Sequence, residues 1–171
     1  PARIPVAQFQ RRRSQERTWN RNQDLRVRRT ESLRDEEAFD LYSRYIRQRH
    51  ADGDMYPPDR EQYESFLNDA WDCTHYYRFY DNRSLVALAV VDELQDGLSA
   101  IYTFFDPTQD QRSLGSYAIL WQAERARALG VELRFGEGDD ALWARPELVG
   151  SGLRETLARL ADAGLAVPCV D

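Results

Sequence analysis

Residues Arg112 to Ser116, "RSLGS", have the side chains from which an anion site is built. They follow a strand-like stretch, "LSAIYTFFDP", and precede a long amphipathic run. A helix beginning here would present backbone N–H groups without internal partners, together with a partial positive charge. Gly115 puts no side chain between a ligand and the backbone. Arg112 supplies a planar fork suited to phosphate or carboxylate, and Ser113, Leu114 and Ser116 complete a turn able to hold an anion. The plain alternative is a turn that only starts a core helix.

Two further groups border this turn in the chain. Tyr102 and Phe104 alternate with Thr103 and Phe105 on the strand leading into it, so one face packs on core helices, and packing is the first reading of all four. His50, Asp52, Asp54 and Tyr56 lie in "RHADGDMYPPD", a loop enforced by Gly53 and the Pro57–Pro58 pair. Asp52, Asp54 and Asp59 suggest a cation loop, but Gly53 is misplaced for an EF-hand and the terminal Glu is missing. No metal site is expected. From its residues alone the loop reads as a turn packed on the sheet. His50 and His75 each read first as a hydrogen-bonded structural histidine.

Charge is unevenly spread. All 23 basic residues are arginine. Residues 1–30 carry about +7 and the remainder about −13, within a net charge of −6. A basic stretch on an acidic body suits a polyanionic partner. In "FQRRRSQERTWNRNQDLRVRR", Arg11, Arg12, Arg13 and Arg17 are candidates for nucleic-acid phosphates, and Phe9 and Trp19 for stacking on bases. Alternatively the segment is a solvated helix whose arginines pair with the acidic body. No apolar run approaches the roughly 20 residues that span a bilayer. The arginine-rich start lacks the apolar core of a secretory signal. Two cysteines, Cys73 and Cys169, make neither a disulfide framework nor a zinc site. A cytoplasmic location and no membrane partner are the expectations.

The elements that must position these residues follow from periodicity. Residues 1–30 read as an extended piece, a short helix near 14–22 and a strand at 25–28, forming an arm or linker. "SLRDEEAFDLYSRYIRQRH" has one apolar helical face through Phe39, Tyr42, Tyr45 and Ile46, with Ser32 as a capping residue. Asp59 caps a second helix bearing Tyr63, Phe66 and Leu67. "HYYRFY", "SLVALAVV" and "LSAIYTFF" are three antiparallel strands, the last two joined at Asp96–Gly97. A helix from about 113 to 129 stops at Gly130, and "VELRF" returns as a strand parallel to its predecessor. The order predicts an α+β fold, with helices flanking a mixed, mostly antiparallel sheet.

Strand, R-x-x-G turn, helix and strand together resemble the core of the GNAT acyltransferase fold, in which such a turn cradles a pyrophosphate and two parallel strands splay. Tyr117 stands where that pattern prefers a small residue, which points away from acetyl-CoA and toward another acyl carrier. A closer resemblance lies in "YIRQRHADGDMYPPDREQYESFL", "LVALAVVDELQDGLSAIYTFFDP" and "RSLGSYAILWQAERARALG". These resemble the C-terminal domain of bacterial aspartate/glutamate leucyltransferases, N-degron aminoacyl-tRNA–protein transferases related to arginyl-tRNA–protein transferase. The likeness runs through roughly residues 1–130, the first 30 resembling the linker that follows the family's cysteine-bearing N-terminal region. Residues 131–171 depart from the family, which there carries a "YLGYWI"-type strand, although "GLRETLARLADAGL" reads as an amphipathic helix.

The resemblance implies a GNAT-like domain over 31–171. It further implies transfer of leucine, or arginine, from charged tRNA to the amino group of proteins beginning with Asp or Glu, marking them for degradation. Charged tRNA would be a co-substrate, and no cofactor is expected. Arg112, Ser113, Leu114, Gly115 and Ser116 would meet the tRNA acceptor end. Tyr102 and Thr103 would line the catalytic cleft, and His50, Asp52, Asp54 and Tyr56 its rim. Arg78 and Arg49 are both candidates to receive the acidic side chain. The competing expectations are a non-catalytic module that binds RNA or protein, and a CoA-dependent N-acetyltransferase.

Overall fold

The computed structural model describes residues 2–67, 72–135 and 167–168. In chain order the elements are β1 (Ala2–Ile4), α1 (Arg13–Arg21), β2 (Arg26–Thr30), α2 (Glu36–Arg49), α3 (Arg60–Leu67), β3 (Thr74–Asp81), β4 (Ser84–Glu93), β5 (Gly97–Phe105), α4 (Leu114–Leu129), β6 (Glu132–Phe135) and β7 (Val167–Pro168). The sheet order is β2-β3-β4-β5-β6-β1-β7. Strands β2 to β5 form an antiparallel meander, and β6 runs parallel to β5. This is the GNAT-like α+β layout. The amphipathic run at "GLRETLARLADAGL" lies outside the described residues.

Helices cover both faces, so the central strands are buried on both sides. That explains the nearly unbroken apolar run of β4. On one face Tyr77 and Phe79 pack against Trp121 of α4, with ring centroids at 4.7 and 5.5 Å. On the other, Tyr42 of α2 meets Tyr63 of α3 at 4.8 Å and Phe104 of β5 at 5.6 Å.

Two local signals hold. The Asp59 carboxylate accepts the Gln62 N–H (2.8 Å) at the head of α3. Gly130 ends α4 at φ 72°, a left-handed conformation that favours glycine. The cap of α2 differs. Asp35, not Ser32, accepts from a first-turn N–H, that of Ala38 at 3.0 Å, while the Ser32 hydroxyl accepts from Arg34 N–H. Asp35 prevails because its carboxylate also binds Arg78.

The basic stretch is not a free arm. Its segments β1 and β2 are strands of the sheet, and Ile4, Val6 and Phe9 are buried in the core. Arg127 of α4 donates to the carbonyls of Val6 and Phe9. Arg11 reaches Glu124 (2.5 Å) and Glu16 (2.8 Å), and lies 4.4 Å from the Trp19 ring centre. Trp19 packs on Tyr117 at 5.6 Å. Phe9 and Trp19 are thus core contacts rather than platforms for bases, and Arg11 is held by carboxylates of the chain. The large side chain at Tyr117 likewise has a packing cause: it fills the space between α1, α4 and β3.

Arg78 is buried. Its donors go to Thr30 Oγ1 (3.1 Å), the Ser32 carbonyl (2.9 Å) and both Asp35 oxygens. Burial alone would raise the Asp35 carboxyl, but the Arg78 guanidinium and the Ala38 N–H outweigh it and hold the group below its ordinary value. The stabilisation is therefore present above the unfolded value of about 3.9 and lost as pH falls through the folded one. Asp35→Asn keeps a capping oxygen but removes the charge. We expect it to cost about 1–2 kcal/mol at pH 7, allowing for solvent screening at the half-exposed carboxylate. It should also narrow the stability gap between pH 7 and pH 3, as read by urea unfolding.

Candidate functional site

The end of β5 and the start of α4 form the candidate site, and the sheet opens there. β6 pairs with β5 from Gly97 to Ala100. Directly afterwards a bulge shifts the β4–β5 register, so that Val91 faces Ala100 while Val90 faces Tyr102. A bulge bends its strand and re-aims the side chains beyond it. Among the described residues, Tyr102 to Phe105 pair with β4 alone.

The loop from β5 to α4 is built by side chains that bond the backbone. Asp106 accepts from the Thr108 N–H (3.0 Å), the Thr108 hydroxyl (2.7 Å) and Arg44 (3.2 Å). Burial would raise its carboxyl, yet these donors hold it below the ordinary range. A single 3-10 turn, Asp110–Arg112, follows, and Ser113 then adopts a left-handed conformation (φ 52°, ψ 49°) that turns the chain into α4. The Ser113 carbonyl accepts the Tyr117 N–H (3.0 Å). The N–H groups of Leu114 and Gly115 have no acceptor among the described residues, as helix starts require. Ser113 is exposed and Gly115 and Ser116 are half-buried, whereas Leu114 is buried in the core, so the turn reaches the surface at Ser113.

Arg112 plays a different part from the one its type suggests. Its two terminal nitrogens clamp Asp24 at 2.9 and 2.8 Å, and one also meets Asp81 at 3.1 Å. Its carbonyl accepts from the fully buried Asn22 (2.8 Å), and Arg21 donates to the carbonyl of Gln111. The Arg112 hydrogen bond, aided by its charge, holds the Asp24 carboxyl below its ordinary value. The fork is filled from within the chain. Arg112 fastens the leading turn of α4 to α1 and to the β3–β4 turn, and an incoming anion would find the backbone N–H groups instead.

Gly115 also has a reason the sequence does not disclose. A Cβ there would lie 2.8 Å from Phe105 Cε1. The absent side chain lets α4 start directly on the last residue of β5. On its other side Phe105 packs on Tyr45 (5.0 Å), and Tyr45 meets His50 with Oη to Nε2 at 3.2 Å. Arg49 lies 5.9 Å from the Phe105 ring centre and pairs with Asp110. The last turn of α2 thus closes one wall of the site. Tyr45 read only as a core position and Asp110 drew no reading from the sequence, because their roles arise from the meeting of α2 with the β5–α4 loop.

The remaining candidates separate. The Tyr102 hydroxyl is buried and faces Met55 Sδ at 3.9 Å. Burial raises its pKa well above the usual phenol value, so it stays protonated and cannot act as a base near neutrality. Thr103 is half-buried on the alternate face. Met55 anchors the 50–59 loop, leaving Asp52, Asp54 and Tyr56 exposed and His50 partly covered. His75, near the start of β3, is held between Glu31 (2.8 Å) and Arg29 (2.5 Å).

A family model described as arginine-tRNA-protein transferase, C terminus, matches residues 37–135. The chain belongs to this family. Aspartate/glutamate leucyltransferase of Pseudomonas fluorescens (strain Pf0-1) is 54% identical over 132 residues, covering 77% of this chain and 56% of that protein. The protein so named in Hahella chejuensis is 58% identical over 125 residues, covering 73% and 53%. This transferase-family chain therefore spans about half the length of the curated relatives it matches. Among solved structures, a transcriptional regulator from Bacillus halodurans C-125 overlays with a TM-score of 0.50 at 13% identity, covering 86% of this chain and 96% of that one. The ribosomal-protein-S18-alanine N-acetyltransferase of Escherichia coli gives 0.48 at 15%, covering 78% and 76%. No helix among the described residues is long and apolar enough to cross a membrane.

Gly115→Ala tests the junction. We expect a loss of about 1–3 kcal/mol from overpacking on Phe105. In the double variant with Phe105→Leu, the two losses should fall short of additive, because the smaller side chain vacates the contact. Urea denaturation of the four proteins measures the coupling.

Proposed function

We propose that this chain carries the transfer site of an aminoacyl-tRNA–protein transferase, which moves leucine from charged tRNA to the amino group of proteins beginning with Asp or Glu. The family match and the names of the relatives support the reading. The observation that carries it is the junction itself: β5 leaves β6 at Ala100, and just beyond its end a turn exposed at Ser113 starts α4 with the N–H groups of Leu114 and Gly115 not taken by any acceptor among the described residues.

An aminoacyl ester is already activated. An α-amine with a pKa of about 8 is partly neutral at the near-neutral pH of the cytoplasm, where we place the reaction. The amine nitrogen attacks the ester carbonyl, forming a C–N bond. The C–O bond to the terminal ribose then breaks, and the proton lost by the amine balances the one gained by the ribose oxygen. Holding the two groups in register can supply roughly 7–11 kcal/mol in favourable cases, and backbone N–H groups can steady the oxyanion. The chemistry calls for neither a nucleophilic triad nor a cofactor. In this reading Leu114 and Gly115, with the flanking Ser113 and Ser116, meet the acceptor end. Arg112 shapes their turn, and Tyr102 and Thr103 line the strand beside it.

The tRNA backbone is assigned to the outer row of α1. Arg13, Arg17 and Arg21 are spaced by one helical turn, and the last bonds the carbonyl next to Arg112. The row thus runs about 12 Å toward the start of α4. Arg12 and the first two of these are exposed, unlike Arg11. Alanine at Arg12, Arg13 and Arg17 together should flatten the slope of log affinity against log salt by about 2–3 units. Arg11→Ala should lower stability and leave the slope in place. Leucyl transfer to a peptide beginning with Asp tests the reaction directly. Activity with arginyl-tRNA instead would change the donor, and acetyl transfer from acetyl-CoA alone would overturn the reading.

A further inference from the structure

Three guanidinium–carboxylate pairs border the β5–α4 junction, and they are held very differently. Arg112 grips Asp24 with two nitrogens and shares Asp81. Arg44 is itself 45% open, but its partner Asp106 is only 11% open and is also fixed by Thr108. The third pair, Arg49 and Asp110, is joined through one nitrogen. Its side chains are open to solvent, 38% for Arg49 and 74% for Asp110. Arg49 ends α2 beside Phe105, the ring against which Gly115 packs.

An acceptor beginning with Asp or Glu brings a side-chain carboxylate to within a few atoms of its reacting amine. Some cation beside the cleft must meet it. Arg78, the other candidate, is buried, and its donors are taken by Thr30, Ser32 and Asp35. Resting on the transfer reading above, we infer that Arg49 receives the side-chain carboxylate of the acceptor's first residue, and that Asp110 is an internal carboxylate occupying the same guanidinium until the acceptor arrives. One carboxylate replaces another of the same charge. Asp110 is released into water that already covers most of it, so the exchange gives up only a weak exposed pair. The planar fork retains donors for bidentate binding, which Asp110 does not use. Asp110 sits in the turn directly before α4, so its carboxylate marks where an acidic side chain lies when its amine reaches the junction.

Direct binding tests this without tRNA. Fluorescent peptides beginning with Asp, Glu or Asn are titrated into the full chain and followed by anisotropy. The unaltered chain should prefer Asp and Glu over Asn by about tenfold or more. Arg49→Gln should erase that preference with the melting temperature retained, and Arg49→Lys should restore part of it. Asp110→Asn should tighten acidic-peptide binding about two- to fivefold by removing the competitor. No preference in the unaltered chain, or a preference unchanged in Arg49→Gln, overturns the assignment. Leucyl transfer is scored in parallel on the same proteins. Transfer that keeps its acidic preference in Arg49→Gln would sink the Arg49 assignment and leave the transfer reading standing. A chain that binds acidic peptides through Arg49 but transfers nothing would do the reverse.

Discussion

The clamp of Arg112 on Asp24 and Asp81 is the constraint on which the rest of the site depends. It joins three segments far apart in sequence: the loop after α1, the turn between β3 and β4, and the residues leading into α4. Asn22, fully buried, bonds the carbonyls of Thr18 and Arg112 and completes the joint. The left-handed Ser113 and the first N–H groups of α4 are aimed by it. A cation at the head of a helix is electrostatically unfavourable, since the helix end is already positive. Two carboxylates beside Arg112 remove that penalty and hold the turn in place.

With that joint in place, the opening of the sheet becomes usable. β5 is held on one side by β4 along its length and on the other by β6 only as far as Ala100. The bulge begins where the second support ends. Phe105, at the tip, is wedged between Tyr45 and the backbone of Gly115. Side chains from α2 and backbone from α4 therefore approach one strand end from two directions.

Much of this was legible in local sequence. Asp59, Gly130 and the Asp96–Gly97 turn act within a few residues of themselves, so element type and order follow from them, and with the order the fold class. What escaped was pairing across the chain. Arg11 finds Glu124, Arg127 finds the carbonyl of Val6, and Arg112 finds Asp24, separations of 113, 121 and 88 residues. Charge counting sees an excess of arginine near the start and reads an arm. It cannot tell a guanidinium that will face a phosphate from one that will close the fold. Gly115 presents the same ambiguity, because the space a glycine leaves can admit a ligand or, as here, an aromatic ring.

Burial resolves the ambiguity among the arginines. A guanidinium enclosed with its partners, such as Arg78 with Asp35, cannot trade them for a ligand without leaving a desolvated charge behind, and that costs more than the new contact returns. An exposed pair carries little net stability, so its partner can be exchanged at little cost. In a chain whose only cations are arginines, the residues that hold the fold and those able to hold a substrate differ in exposure and in the number of donors already satisfied. By that measure Arg78 and Arg112 belong to the framework. Arg13 and Arg17 on α1, and Arg49 at the end of α2, face outward with donors to spare, and they flank the junction where the sheet opens.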